Sequence, residues 1–105
     1  MYTRNVSMKL KTNSVQEFTR TLENEIIPVL RKQKGFKDEI ALVATERNEA
    51  LAISFWDKKE DAESYNREKY PEILKTLSKV VDGTPKVGAF EVVNSTFQKI
   101  AAQGA

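Results

Sequence analysis

The stretch Glu25–Trp56, EIIPVLRKQKGFKDEIALVATERNEALAISFW, decides the fold of this chain. It begins as the end of an amphipathic helix that stops at Gly35, a residue suited to the left-handed position after a helix. Phe36 to Thr45 then predicts a strand, residues 46–49 a polar hairpin loop, and Ala50 to Trp56 a further strand. The centre of the chain is therefore a helix followed by a β-hairpin.

The residues before this stretch predict a strand and the start of its helix. Tyr2 to Lys11 alternates with period two, and Arg4 shares a face with Tyr2, Val6, Met8 and Leu10. Ser14 to Glu17 has the pattern of a capping box, and an apolar stripe follows at steps of three or four residues. Pro28 removes one backbone N–H from the helix, so we expect a bend there.

The residues after Trp56 predict a second helical layer and a last strand. Asp57 to Glu60 has a second capping-box pattern, and the helix that follows is interrupted at Pro71. A continuation helix is expected to end at Asp82-Gly83, and Lys86 to Val93 predicts a fourth strand.

The element order β-α-β-β-α-β predicts an α+β domain. Short connections and right-handed crossovers give this order a ferredoxin-like arrangement, one four-stranded antiparallel sheet with helices on one side. The 105 residues have room for a single domain, with a core over residues 2–93 and a tail over residues 94–105. Within the tail we expect a short helical segment near Phe97 and Ile100.

Composition excludes several classes of function. The chain contains neither cysteine nor histidine, which rules out disulfides, thiol nucleophiles, Cys/His metal sites and histidine bases. Seventeen basic residues against fifteen acidic ones, without a basic run, argue against nucleic acid or a membrane surface as a partner. The N-terminus lacks the apolar segment of a signal peptide. We therefore predict a cytoplasmic protein without a metal or cofactor.

The sheet is predicted to have a second apolar face. Two helices cover only one face, yet strands two to four carry apolar residues on both sides. Covering about 600 Å² of apolar surface is worth on the order of 15 kcal/mol before the cost of association. An isologous homodimer, sheet against sheet, would cover this face. The alternative is that the tail folds over it through Phe97 and Ile100.

Two segments resemble the dimeric α/β barrel family of antibiotic-biosynthesis-monooxygenase type. Glu25–Phe36 is similar to the family's first helix, which ends P-x-L-x-x-x-x-G-F, and Ala52–Asp57 is similar to its third strand, which ends in Trp before a helix cap. The resemblance implies a dimeric α/β barrel and activities that include cofactor-independent oxygenation of quinol-like or polyphenolic aromatics. The haem-degrading branch has a first-strand Asn, matched here by Asn5, but its iron-ligating His has no counterpart, so haem is excluded.

Six side chains are the candidate site residues. Asn5 is expected to point away from the helices and to orient a substrate oxygen, Trp56 on the same face to wall an aromatic ring, and Tyr65 to donate a hydrogen bond or assist proton transfer. The candidates for substrate binding are Tyr70, Phe55 and Glu91. Glu91 is a candidate base if its face is buried, and structural if it faces solvent.

Three weaker candidates are basic residues, and one is an acidic pair. Arg4, Lys9 and Lys69 have the charge to bind a phenolate or carboxylate, but Arg4 shares the packed face near a strand end and is expected to extend its charge to water. The pair Asp38-Glu39 lacks further ligands at metal-binding spacing.

Three functions remain open on this sequence. The first is a cofactor-independent monooxygenase for a small quinol-like or polyphenolic aromatic. The second is a non-catalytic dimer that binds a small hydrophobic ligand or has a structural or stress role. The third is an accessory module that binds a flavin or quinone. A cleft able to hold a small molecule favours the first or third, and a cleft closed by Trp56, Phe55 and Tyr65 favours the second.

Overall fold

Four antiparallel strands form one sheet in the computed structural model, which describes residues 1–97. The strands are β1 (Tyr2–Leu10), β2 (Phe36–Ala44), β3 (Glu49–Trp56) and β4 (Val81–Glu91). Their order across the sheet is β2-β3-β1-β4, so the first and third strands are central. This is the predicted ferredoxin-like α+β arrangement. The helix expected near Ile100 lies outside the described residues.

The helical layer lies on one face of the sheet. Its helices are α1 (Val15–Thr21), α2 (Ile27–Arg31), α3 (Lys59–Glu68) and α4 (Tyr70–Leu77). Between α1 and α2 the chain continues without a break as a π-helical turn over Leu22–Ile26. The core lies between these helices and the strand face that carries Val6, Met8 and Leu10, as the alternation of β1 predicts.

The π-helical turn is the form that the expected bend at Pro28 takes. Proline has no N–H to donate to the carbonyl of Asn24, so the regular ladder cannot continue through this point. The Ile27 N–H instead donates to the carbonyl of Leu22, five residues earlier. The helix thus changes register one residue before the proline, and Pro28 falls in the first turn of α2.

Several predicted boundaries were wrong. Neither Ser14 nor Asp57 caps a helix with its side chain: Ser14 Oγ donates to the carbonyl of Thr12, and Asp57 forms an ion pair with Lys37 while α3 begins after Lys58. The last helix ends at Leu77, and β4 begins at Val81 instead of Lys86. β-Branched residues near Val81 fit a helical stripe and a strand equally well, and pairing with β1 decides for the strand.

Gly35 connects the first helical segment to the sheet with a positive φ of 80°. A Cβ atom at this position would lie 2.7 Å from the Asp61 Cβ, which a side-chain rotation cannot move away. We expect Gly35→Ala to lower the free energy of unfolding by about 2–3 kcal/mol, seen as an earlier midpoint in urea denaturation.

Gly83→Ala is the matched control for this prediction. Gly83 has a nearly equal φ of 79°, but no atom would lie within 4 Å of its Cβ. Its substitution should cost only the backbone strain, about 1 kcal/mol. Equal losses in the two variants would contradict the predicted collision with Asp61.

The second face of the sheet is open and apolar. Directly paired residues on neighbouring strands share a face, so the register groups Leu42 with Leu51, Ile40 with Ile53, and Asn5 with Ile53 and Gly88. Leu42 is 51% exposed, and Phe90 lies on the same face with its ring over Gly88. An open groove of about 690 Å³ crosses part of this face. We call this side of the sheet the open face; it carries Asn5, Ile40, Leu42, Leu51, Ile53 and Phe90.

Candidate functional site

A small cavity lies in the core, between the helices and the face of the sheet that they cover, which we call the covered face. Its volume is about 40 Å³, enough for about three water molecules. Apolar side chains of β1, β3, the first helical segments and α4 form most of its wall: Val6, Met8, Leu22, Ile26, Leu30, Ala52, Ile73 and Leu77. The polar groups that line it are Arg4, Glu39, Ser54, Tyr65 and Tyr70.

Three of these polar residues form a row across the covered face. Ser54 on β3 pairs directly with Arg4 on β1 and with Glu39 on β2. Arg4 and Glu39 therefore lie two strand spacings apart, about 10 Å between their backbones, with Ser54 between them. We call these three residues the polar row. A polar group buried under the helical layer lowers the stability of the fold unless it has a hydrogen-bond partner. The partners of each member of the row therefore show whether the row is stable without a ligand.

Arg4 is a buried cation without a carboxylate partner. It is only 4% exposed, so the expectation that it extends to water was wrong. Its Nε and Nη2 donate to Asn66 Oδ1 at 3.2 and 2.7 Å. Its guanidinium lies 4.0 Å from the ring centre of Tyr70 and 5.1 Å from that of Tyr65, within cation–π range.

The charge of Arg4 remains uncompensated by any formal negative charge nearby. Among residues 1–97, no carboxylate oxygen lies within 4.0 Å of its guanidinium. Burial accordingly lowers the pKa of Arg4, while the neighbouring tyrosines oppose this shift. A neutral amide and two ring faces are weaker partners for a buried cation than an anion is.

Glu39 and Tyr70 present unsatisfied oxygens to the same cavity. Glu39 Oε2 and the Tyr70 hydroxyl are both buried, and neither reaches good hydrogen-bond geometry within residues 1–97. The Tyr70 hydroxyl is nevertheless close enough to Arg4 for their side-chain interaction to oppose the effect of burial on the pKa of each group. Burial raises the pKa of Glu39, and it raises that of Tyr70 against the opposing charge of Arg4. Buried polar atoms without partners are rare in folded proteins, and two in one cavity indicate a place for a polar ligand or water.

Ser54 and Trp56 hold the centre of the row in place. The Trp56 Nε1–H donates to Ser54 Oγ at 2.8 Å. The Trp56 ring is fully buried, edge-on to Phe36 at 5.6 Å and tilted against Tyr65 at 5.3 Å. Trp56 therefore lies behind Tyr65 and positions it without lining the cavity itself.

Tyr65 lies between the cavity and a groove on the protein surface. It lines the cavity on one side and, on the other, a surface groove of about 340 Å³ that also includes Lys34, Asp61 and Ser64. Burial raises the pKa of Tyr65 to about 12, opposed by Arg4 and assisted by Tyr70, so its hydroxyl keeps its proton at neutral pH.

The shift at Tyr65 predicts a loss of stability at alkaline pH. The unfolded chain releases this proton near pH 10, and the folded chain holds it to about pH 12. Stability from this group is complete below pH 10 and falls by about 3 kcal/mol as the pH rises to 12. Urea denaturation at pH 9 and pH 11.5 should show a smaller decline for Tyr65→Phe than for the parent; an equal decline would contradict this.

The π-helical turn forms one wall of the cavity. Leu22 and Ile26, the first and last residues of the turn, both line it, and Leu30 continues this wall into α2. Single π-helical turns in otherwise regular helices occur frequently at functional sites. The register change that Pro28 imposes thus falls at the helix segment that faces the polar row.

The six predicted site residues are divided between the two faces of the sheet. Tyr65 and Tyr70 line the cavity. Trp56 lies on the covered face, so its predicted location on the same face as Asn5 was wrong: Trp56 pairs with Tyr2, and Asn5 pairs with Ile53.

Asn5, Phe55 and Glu91 lie outside the cavity. Asn5 belongs to the open face, as predicted, and its buried Oδ1 has no hydrogen-bond partner within residues 1–97. Phe55 pairs with Thr3 on that same face and is buried. Glu91 ends the edge strand β4 opposite Tyr2 and is exposed, which agrees with the structural alternative for this residue.

Sequence reasoning missed the polar row as a unit. Arg4 was a weak candidate, Glu39 was considered only as part of a metal pair, and Ser54 was not considered. The available signal was polar residues in phase with core positions: Arg4 with Val6, and Ser54 with Trp56. A register shift in β2 between Phe36 and Asp38 brings Glu39 onto the covered face.

Residues 1–97 contain no group of three or more acidic side chains placed to hold a metal ion. No helix within that range has the length and hydropathy needed to cross a membrane.

Comparison with known proteins places this arrangement in a structural class. Neither a protein-family model nor a curated protein matches the sequence. Solved structures do match: the chain has the ferredoxin-like fold of the antibiotic biosynthesis monooxygenases, as the resemblance in residues 25–36 and 52–57 implied.

Three solved structures illustrate the likeness. The ActVA-Orf6 monooxygenase of Streptomyces coelicolor, in complex with nanaomycin D, has a TM-score of 0.75 at 13% identity over 91% of this chain and 90% of its own. A Bordetella bronchiseptica protein assigned as an antibiotic biosynthesis monooxygenase has a TM-score of 0.74 at 11% identity, with coverages of 89% and 97%. The NE2512 protein of unknown function from Nitrosomonas europaea has a TM-score of 0.72 at 9% identity, with coverages of 91% and 92%.

Proposed function

We propose that this protein is a cofactor-independent monooxygenase for a small hydroxyaromatic substrate, and that the reaction takes place in the cavity beside the polar row. The observation that carries the proposal is the buried guanidinium of Arg4, which shares an apolar cavity with two unpartnered polar oxygens. Such groups cost stability in an empty core, which suits a site that gains its partners from a ligand. The fold is shared with a monooxygenase solved in complex with nanaomycin D, which supports the class of reaction.

This reaction needs no redox group from the protein. The electron-rich anion of an anthrone-type substrate supplies electrons to O₂ itself. Both C–H bonds of its reacting CH₂ carbon break, one oxygen atom becomes the carbonyl oxygen on that carbon, and the other leaves as water with the two hydrogens. The protein binds the ring, favours its anion and keeps bulk water away. Arg4 would stabilise the anion, the hydroxyl of Tyr65 would donate a hydrogen bond to it, and apolar residues would enclose the ring.

Oxygen consumption tests this function directly. With a panel of quinols and anthrones, we expect uptake above a boiled control for the parent protein. Tyr65→Phe should lower the rate by at least about tenfold, the usual effect of losing one positioned donor or acid. Asn5→Ala, on the opposite face, should keep the parent rate. No uptake above the boiled control would end the proposal.

The size of the cavity favours a second candidate. Its volume of about 40 Å³ is far below the 300–1,000 Å³ of typical ligand pockets, and Tyr65, with Trp56 packed behind it, forms one of its sides. A non-catalytic dimer with a structural or stress role would need no space for a ligand. A folded protein that neither binds hydroxyaromatics nor consumes oxygen would identify this second function.

We also propose that two copies associate through the open face. Exposed Ile40, Leu42 and Phe90 form an apolar surface that a monomer rarely leaves in water. Phe97, one of the two anchors by which the tail was to cover this face, is itself 67% exposed. The unpartnered amide oxygen of Asn5 also faces this side, where a second copy would supply a donor.

A further inference from the structure

We infer that the cavity takes an aromatic oxyanion, with the Arg4 guanidinium as partner of the anion and the Glu39 carboxylate as acceptor for a hydroxyl at the other end of the ligand. The inference rests on the proposed function for the location of the site, and it names the class of ligand that fits there. The polar row sets both ends of the ligand, because Arg4 and Glu39 flank Ser54 on one face.

The anion is required by the surroundings of Arg4. Among residues 1–97, the buried guanidinium donates to an amide oxygen of Asn66, interacts with the Tyr70 side chain and has no carboxylate within 4.0 Å. Its planar array of donors matches the two oxygens of a carboxylate or the oxygen of a phenolate. A bound oxyanion would supply the charge that the protein itself does not.

A ligand hydroxyl suits the surroundings of Glu39, which is half-buried on the edge strand β2. Its buried Oε2 lines the cavity without a donor, and the cavity wall around it is apolar. A ligand O–H directed at this oxygen would satisfy it. If the proton transfers, the ligand O–H bond breaks, its electron pair stays on the ligand oxygen, and an O–H bond forms on Glu39, so no oxidant or reductant is needed.

An aromatic ring needs more room than the cavity now has. The wall most suited to yield is the π-helical turn of Leu22–Ile26, where the helix register is already interrupted. Backbone amide signals of this turn should therefore shift in NMR spectra when a ligand binds, together with those near Arg4. Signals of the exposed hairpin loop near Arg47 should stay unchanged.

Three related probes separate the two ends of the site. They are 4-hydroxybenzoate, which carries both groups, 4-methoxybenzoate, which lacks the donor, and 4-hydroxybenzyl alcohol, which lacks the anion. Affinities can be measured through the fluorescence of Trp56, the single tryptophan, whose ring lies 5.3 Å from that of Tyr65. We expect 4-hydroxybenzoate to bind most tightly, with the neutral alcohol at least about tenfold weaker, the usual worth of a charge-assisted hydrogen bond.

Variants assign each end to its residue. Arg4→Gln should weaken both benzoates at least about tenfold and leave the neutral alcohol unchanged. Glu39→Gln should weaken 4-hydroxybenzoate but not 4-methoxybenzoate. Arg20→Gln is the matched control, because Arg20 is an exposed arginine on α1 paired with Glu17, and it should change nothing.

The source of the oxyanion is tested with 4-nitrophenol, whose phenolate absorbs visible light. A lower apparent pKa of the bound phenol in the parent protein, lost in Arg4→Gln, would show that the site takes phenolates; Arg4-dependent binding of benzoates alone would show that it takes carboxylates. Either result supports an oxyanion site. Equal affinities of the parent for 4-hydroxybenzoate and the neutral alcohol would overturn it, and this comparison does not depend on how any variant folds.

The binding and oxygen-uptake experiments together separate a failure of the oxyanion site from a failure of the proposed reaction. Arg4-dependent binding without oxygen uptake leaves the oxyanion site standing and removes the monooxygenase. Oxygen uptake from substrates whose binding is unaffected by Arg4→Gln leaves the monooxygenase and overturns the oxyanion site.

Discussion

Leu42→Asp is expected to give an 11.9 kDa particle in analytical ultracentrifugation, under conditions where the parent protein sediments at twice that mass. Leu42 is half exposed in the single chain, so an aspartate there stays hydrated and the fold is kept. In an isologous dimer the substitution occurs twice, and each carboxylate loses water against the apolar face of the other copy. We expect the dimer dissociation constant to rise by about 1,000-fold or more.

Val87→Asp is the control for this experiment. Val87 is 45% exposed, close to the value for Leu42, but it pairs with Val6 on the covered face at the edge of the sheet. It should therefore remain a dimer with the same particle mass as the parent. A monomeric parent protein, or equal dissociation in both variants, would contradict association through the open face.

Alternation within one strand was enough to predict part of the fold. In β1 a single face is apolar, so the sequence separates Val6, Met8 and Leu10 from Ser7 and Lys9, and the structure confirms the division. The left-handed backbone at Gly35 was equally clear, with a φ of 80°, although the helix before it ends at Arg31 and not next to Gly35 as predicted.

Alternation within β3 could not decide which face meets the helices. Leu51, Ile53 and Phe55 alternate with Ala52, Ser54 and Trp56, and both sets are largely apolar. The choice is made by register: Tyr2 pairs with Trp56, which brings the second set under the helices. For this reason Trp56 was predicted on the wrong face while Asn5 was predicted correctly.

The candidate site depends still more on register. Arg4, Ser54 and Glu39 are up to 50 positions apart and meet only because three strands pair in one alignment. The shift between Phe36 and Asp38 in β2 has no strong local signal, since neither Gly nor Pro occurs there. A sequence read one strand at a time can propose each residue, but not their combination.

Trp56→Ala is expected to lower the free energy of unfolding by about 4 kcal/mol, within the range for removing a large buried aromatic side chain. The ring is fully buried between Phe36 and Tyr65, so its loss leaves a void in the centre of the core. Against a total stability of about 5–15 kcal/mol, this single change would bring the domain close to unfolding at 37 °C. Urea denaturation followed by circular dichroism measures the loss.

Two further variants separate packing from the hydrogen bond of the indole. Trp56→Phe keeps a ring between Phe36 and Tyr65 but loses the N–H that donates to Ser54 Oγ, so we expect a cost of about 1–3 kcal/mol. Val87→Ala shortens a half-exposed side chain outside the open face and should cost under about 1 kcal/mol. A loss below about 2 kcal/mol in Trp56→Ala would contradict this structural role. Such a small loss would fit a ring that only lines a substrate cavity, because removing that ring leaves the packing of the core intact. The predicted order therefore makes Trp56 a positioning residue, which acts on the site through Ser54 and Tyr65.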